Sequence, residues 1–303
     1  MTGPRVLVAC DLDSTLLYST RSLALPDDDL LAPRLVVTEV WRGAPLTYCT
    51  ADALDLLTEL DRVATVVPVT TRTRAQYARV RLLDGSAPTS ETVPGPRYAV
   101  VANGGHLLVD GHPDEGWAAR VRAALTECRP LPQVAEALRR ATDGRRAGDL
   151  RLADELFVYV AVDRQALPPQ AVSDLRAWCA DGGWRVSLQG RRLYCVPRPL
   201  TKVAAVDEVR RRTGATGLLA AGDSLLDADL LESADVAVRP AHGELHDLGW
   251  QRPHLEVTGS VGVLAGEESV RRLLGHVLDP ARDGSPDEIV SLRNGSEGER
   301  THV

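Results

Sequence analysis

The chain has 303 residues, enough for about two domains and a sizeable core. Hydrophobic residues make up 44% and charged residues 25%, the balance of a soluble globular protein. A net charge of −7 argues against a non-specific nucleic-acid binder, and no apolar run is long enough to cross a bilayer.

Five cysteines (Cys10, Cys49, Cys128, Cys179, Cys195) are odd in number and show no Cys-x-x-Cys spacing, so neither a disulfide framework nor a zinc ribbon fits. The first apolar run meets Asp11 and Asp13 at once, which argues against a signal peptide. A cytoplasmic protein is therefore expected. Of the 35 basic residues, 34 are Arg and one is Lys202, so the lone Lys invites a chemical explanation.

In chain order, Val6–Cys10 reads as a buried strand running into Asp11-Leu12-Asp13-Ser14-Thr15. A long connection over 17–50 follows, with a predicted hairpin of Leu35–Trp41 and Leu46–Thr50 turning at Arg42–Pro45. A predicted helix at Ala51–Arg62 precedes the apolar run Val63–Val69, which ends in Thr70-Thr71-Arg72. Another helix is predicted at Arg74–Leu83, and the run Tyr98–Ala102 ends in Asn103-Gly104-Gly105. Later, a helix predicted at Lys202–Arg212 leads to the run Leu218–Ala221 and then Gly222-Asp223-Ser224. Short apolar runs alternating with helices predict an α/β fold, a Rossmann-like doubly wound parallel sheet with ligands beyond the strands' carboxyl ends.

The stretch 113–198 breaks that alternation. Helices are predicted around Gly116–Cys128, Leu131–Ala141 and Pro169–Asp181, with strands at Leu156–Asp163, Trp184–Gln189 and Arg192–Val196. This pattern predicts an inserted α+β cap over 113–198, leaving 1–112 and 199–278 as the core. Residues 279–303, rich in Gly, Ser, Asp, Glu and Arg, are expected to be a disordered tail.

Asp11 and Asp13 sit two apart where a strand gives way to a loop. One carboxylate can act as nucleophile or metal ligand and the other can move a proton, although Asp13 or Ser14 would also suit a helix cap. Asp223 and Asp227 form a second acidic pair, suited either to a hard cation such as Mg²⁺ or to a helix N-terminus. Two acidic pairs at neighbouring strand ends repel each other and call for a cation. Thr70 and Thr71 offer donors to a phosphate, or simply cap a helix. Lys202 opens a predicted helix, where its charge opposes the macrodipole, and this favours phosphate binding over a solvated surface role.

Asp11-Leu12-Asp13-Ser14-Thr15-Leu16, Thr70, Lys202 and Gly222-Asp223-Ser224 with Asp227, in that order, resemble the four motifs of the haloacid dehalogenase superfamily of phosphohydrolases. The position of the insert is similar to the large-cap branch of Cof-type, sucrose-phosphate and mannosyl-3-phosphoglycerate phosphatases. The resemblance implies Asp11 as nucleophile and Asp13 as general acid and base. It also implies Mg²⁺ held by Asp11, the Asp13 carbonyl and Asp223 with Asp227 in support, and a phosphoryl group held by Thr70 and Lys202. Two departures stand out: Thr71 replaces the Gly of a Thr-Gly-Arg motif, and the 17–50 connection is longer than a short flap.

A small phosphorylated metabolite, foremost a sugar phosphate, is the expected substrate, with no nucleic-acid or membrane partner. Arg72, Asn103 and Arg191, with Arg192 beside it, are candidates for substrate contact. A phosphotransferase or mutase, a nucleotide phosphatase and a non-catalytic phosphometabolite-binding protein are the alternatives. His242 and His246 lack an evident third ligand, Cys10 reads as packing, and Asp27-Asp28-Asp29 reads as a solvated loop.

Overall fold

The computed structural model describes residues 6–26, 32–83, 95–143 and 147–279. Asp27-Asp28-Asp29 and all but the first residue of the expected tail lie outside them.

The largest sheet has eight strands. In spatial order they are β14 (Leu255–Val257), β13 (Val236–Arg239), β12 (Gly217–Ala221), β1 (Val6–Asp11), β4 (Thr65–Val69), β5 (Tyr98–Val101), β6 (His106–Val109) and β7 (His112–Pro113). Pairing is parallel from β14 to β5, and antiparallel from β5 to β7. The connecting helices are α1 (Ala51–Val63), the single turn α2 (Arg74–Tyr77), α6 (Lys202–Thr213), α7 (Ala228–Ser233), the single turn α8 (Glu244–Asp247) and α9 (Gly262–Leu278).

Period-two alternation along the strands divides the core between the two faces of the sheet. Leu7, Ala9, Val67 and Leu218 pack on one face with Val206 and Val209 of α6 and Leu230 of α7. Val8, Cys10, Val66 and Leu219 pack on the other with Leu57 and Leu60 of α1 and Val270 and Leu273 of α9. Both faces are covered, which is why these strands read as unbroken apolar runs. Each fully buried leucine contributes roughly 1.5–3 kcal/mol over an exposed one.

Between β7 and α6 the chain builds a separate antiparallel sheet in the order β10 (Trp184–Gln189), β11 (Arg192–Pro197), β9 (Phe157–Ala161) and β8 (Arg151–Ala153). Helices α4 (Leu131–Thr142) and α5 (Pro169–Asp181) pack against it through Val134, Leu138, Val172 and Leu175. Helix α3 (Glu115–Leu125) ties this unit to the large sheet, because Trp117 Nε1 donates to the Gly104 carbonyl at 2.8 Å.

Two local expectations change. The hairpin of β2 (Leu35–Trp41) and β3 (Ala44–Thr50) turns on Arg42 and Gly43 alone, both at positive φ (52° and 79°), so the second strand starts earlier than expected. The helix expected over Arg74–Leu83 stops after Tyr77. Thr73 and Gln76 close its start in a capping box, but Arg81 N–H then donates to the Thr38 carbonyl of β2, so pairing with the hairpin displaces further helix.

Gly104 (φ +91°) sits where the β5 loop crosses the chain entering α6. A Cβ there would lie 2.1 Å from the Thr201 carbonyl oxygen. Gly104→Ala is expected to lower stability by about 1–3 kcal/mol, read as a reduced denaturant midpoint with unchanged m-value.

Candidate active site

Four elements deliver the site, each at the carboxyl end of a parallel strand or the start of a helix. Asp11 is the last residue of β1. Beyond it the chain turns sharply, the Leu12 carbonyl accepting from the amides of Thr15, Leu16 and Leu17 at 2.7–3.2 Å. Asp13 thereby projects from the turn with its side chain 35% exposed. Thr70 follows β4 directly; its amide donates to the Val100 carbonyl, and its hydroxyl accepts from Arg72 N–H at 3.1 Å.

Gly222, Asp223 and Ser224 follow β12. A Cβ at Gly222 would stand 2.5 Å from Asp227 Cβ, so only glycine lets Asp227 fold back beneath this loop. Asp227 Oδ2 accepts from both the amide and the hydroxyl of Ser224, at 3.0 and 2.6 Å.

Lys202 opens α6, whose N-cap is Thr201: the Thr201 hydroxyl accepts from Ala204 N–H. The ammonium is buried and donates to Asp11 Oδ1 and Asp227 Oδ1, each at 2.5 Å. Asp11, Asp223 and Asp227 offer carboxylate oxygens within 4.8 Å of one another. The Asp223 carbonyl accepts from Leu245 N–H at 2.9 Å, whereas its carboxylate has no hydrogen bond and no ion pair among the described residues.

Burial drives the electrostatics. It pushes the Asp11 carboxyl up to about 7, with repulsion from Asp227 adding and the attraction of Lys202 opposing. Asp223 is raised well above the carboxylate range by burial and then by Asp11 and Asp227. Burial works against the charged Lys202, yet its two carboxylate partners overcome this and raise it. Asp13 goes the other way: burial raises it, but the Arg72 guanidinium prevails and holds it below its usual value.

One ammonium faces three carboxylates, so the fully ionised cluster has a negative excess. A hard divalent cation with oxygen ligands fits this donor set, and the unengaged Asp223 is the carboxylate most available to it.

A cleft of about 470 Å³ opens over the cluster, reached from Asp13 and Asp223 below and Arg191, Arg192 and Gln189 of the β10–β11 hairpin above. Thr71 and Arg72 line it as well. Tyr194 is buried on β11; burial raises its hydroxyl above the usual phenol range, with Arg192 opposing.

Asn103 goes elsewhere. At φ 56° and fully buried, it donates from Nδ2 to the Leu200 carbonyl, joining the end of β5 to the chain that re-enters the core, and it does not line the cleft. His242 and His246 face different partners, the Ser14 carbonyl and Arg239 respectively. Burial pushes the Cys10 thiol up to about 12, so it packs as a small apolar side chain.

Sequence reasoning missed Glu39, Arg21, Ser22 and Glu244. Only Glu39 carried a signal: it is the one charged residue in a strand of apolar and β-branched side chains.

No protein-family model matches the chain, and no curated protein sequence matches it. Solved structures do. The sucrose-phosphatase from Synechocystis, solved with sucrose and phosphate, superposes with a TM-score of 0.58 at 19% identity over 90% of this chain and 98% of that one. A sugar phosphatase of subclass IIB of the haloacid dehalogenase superfamily gives 0.52 at 11% identity, over 90% and 99%. The C-terminal domain of the trehalose-6-phosphate phosphatase of C. albicans gives 0.52 at 13% identity, over 90% and 92%.

This is the fold of the haloacid dehalogenase phosphatases. Each superposition covers about nine-tenths of this chain and nearly the whole length of the other, so the likeness is of the overall fold.

A cation at this cluster needs Asp11 ionised. Apparent Mg²⁺ affinity, measured by titration calorimetry, is expected to weaken as pH falls from about 8 to about 6, with proton release on binding growing over the same range. Asp223→Asn is expected to weaken binding throughout.

Proposed function

We propose that this protein is a Mg²⁺-dependent phosphomonoester hydrolase acting through an aspartyl-phosphate on a small phosphorylated metabolite, foremost a sugar phosphate. The observation that carries this reading is Lys202 bridging Asp11 and Asp227 beneath the cleft, with Asp13 two residues from Asp11 and facing the same space.

In the first step an Asp11 oxygen attacks phosphorus and the ester P–O bond breaks. Asp13 supplies the proton that the leaving oxygen takes up. In the second, Asp13 accepts a proton from water, the water oxygen attacks phosphorus, and phosphate leaves with Asp11 regenerated. Lys202 keeps Asp11 aligned and spreads phosphoryl charge, and the Thr70 hydroxyl and nearby amides assist. Mg²⁺, held by Asp11, the Asp13 carbonyl and Asp223 with Asp227 behind them, would neutralise charge on the transferring group. Arg72 favours ionised Asp13 at rest; an entering phosphate dianion brings like charge beside it and raises its proton affinity.

Residues 113–198 act as the cap, its β10–β11 hairpin closing the cleft against bulk water. Hydroxyls from Ser19, Ser22, Thr47 and Thr71 suit a polyhydroxylated leaving group. Arg21, Arg191 and Arg192 add positive charge to the cleft wall, which favours a sugar phosphate whose leaving group bears its own carboxylate or phosphate.

The test is phosphate release across sugar phosphates, phosphoglycerate derivatives and nucleotides, with and without Mg²⁺. Release is expected to require Mg²⁺ and to fall by at least about 10³-fold in Asp11→Asn. Absence of release from every ester by folded, Mg²⁺-binding protein would shift the reading to phosphotransfer or phosphometabolite binding. Arg191→Ala with Arg192→Ala is expected to raise KM about tenfold or more for acid-bearing esters, and much less for neutral ones.

A further inference from the structure

The Glu39 side chain is fully buried, and the site chemistry set out above gives it no part. It lies on β2 at a bulge, where the register with β3 shifts on both sides of it. Its Oε2 accepts from Arg72 Nη1 at 2.5 Å, and its Oε1 accepts from Arg79 Nε at 2.9 Å. Arg72 then turns its other edge to the site: Nε and Nη2 each donate at 2.8 Å, one to each oxygen of Asp13.

The guanidinium is planar, so the direction of one edge dictates that of the other. Holding Nη1 at Glu39 fixes the plane in which the Nε/Nη2 fork meets Asp13. Arg79 is itself restrained, its guanidinium carbon 4.3 Å from the centre of the Trp41 ring, so Glu39 is gripped from both sides. A carboxylate buried this completely is costly unless it is paired, and here the pairing reaches in one further step to the proposed proton donor.

We propose that Glu39 is a positioning residue for catalysis: through Arg72 it holds the Asp13 carboxyl in the orientation that delivers a proton to the leaving oxygen. The proposal rests on the phosphohydrolase reading and adds a task for the long connection between β1 and α1, whose hairpin carries Glu39 into the site.

A residue that serves proton delivery matters in proportion to how much the leaving group needs a proton. The experiment compares kcat/KM, which reports steps only through ester cleavage, for Glu39→Gln and wild type on p-nitrophenyl phosphate, phenyl phosphate and glucose 6-phosphate in saturating Mg²⁺. Loss on p-nitrophenyl phosphate, whose leaving group departs as a stable anion, is expected to stay within about 3-fold. On phenyl phosphate and glucose 6-phosphate it is expected to reach about 10- to 100-fold. In an Asp13→Asn background, Glu39→Gln is expected to add nothing further to that difference.

A parallel loss on all three esters, as from a hairpin that merely loosens, would overturn the proposal, and so would no loss on any. Wild-type protein that releases no phosphate from any ester would instead remove the parent reading. Should Glu39→Gln not fold, Glu39→Asp, which keeps the charge but shortens the reach, is expected to show the same leaving-group dependence in weaker form.

Discussion

A single buried ammonium set among three buried carboxylates is the constraint around which this molecule is arranged. Lys202 meets Asp11 and Asp227 at 2.5 Å, and Asp223 stands beside them without a cation of its own. Isolated, any of these charges would be too costly to bury; together they hold only because the fold brings two strand ends and one helix start to a single point. Much of the local chain geometry answers to that need. Gly222 clears space for Asp227, the Leu12 turn throws Asp13 forward, and the crossing at Gly104 and Thr201 sets where α6 begins.

The smaller sheet is coupled to the same point. Glu244 Oε2 accepts from the Leu225 amide, in the loop after β12, and from the Ser187 hydroxyl on β10; Oε1 accepts from the Leu188 amide. Gln189 donates to Ser224, and Arg185 bridges Asp229 and the Leu200 carbonyl. The loop that presents Asp223 is thus bonded to the strand whose hairpin roofs the cleft. Any movement of the roof breaks or forms bonds to the loop that carries Asp223, which links access to the site with its internal order.

Much of this was legible in the chain. Strands β1, β4, β5 and β12 were, because burial on both faces leaves unbroken apolar runs, whereas β6, β7, β13 and β14, only two to four residues long, were not read; helices α1, α5 and α6 came within a residue or two of their observed ends. Asp11, Asp223, Asp227 and Lys202 were singled out because two acidic pairs at neighbouring strand ends repel each other and a lone Lys at a helix start opposes the macrodipole, and the fold brings the four together beneath the cleft. Helix α2 was overestimated because helical spacing says nothing of the competing bond from Arg81 to Thr38. Asn103 looked like a substrate contact because it follows a strand, whereas its amide is spent on the Leu200 carbonyl.

The sequence by itself determined the alternating α/β order, the strand-end positions of the acidic residues and the presence of an inserted α+β unit. These follow from periodicity and local residue chemistry, which act over a few neighbouring residues. Only the tertiary structure decided which charges pair: Lys202 with residues 191 positions before it and 25 after it, and Glu39 with Arg72 and, through it, Asp13. Pairing of buried charges depends on distance and dielectric, and neither exists until packing has brought distant segments together and expelled the water between them.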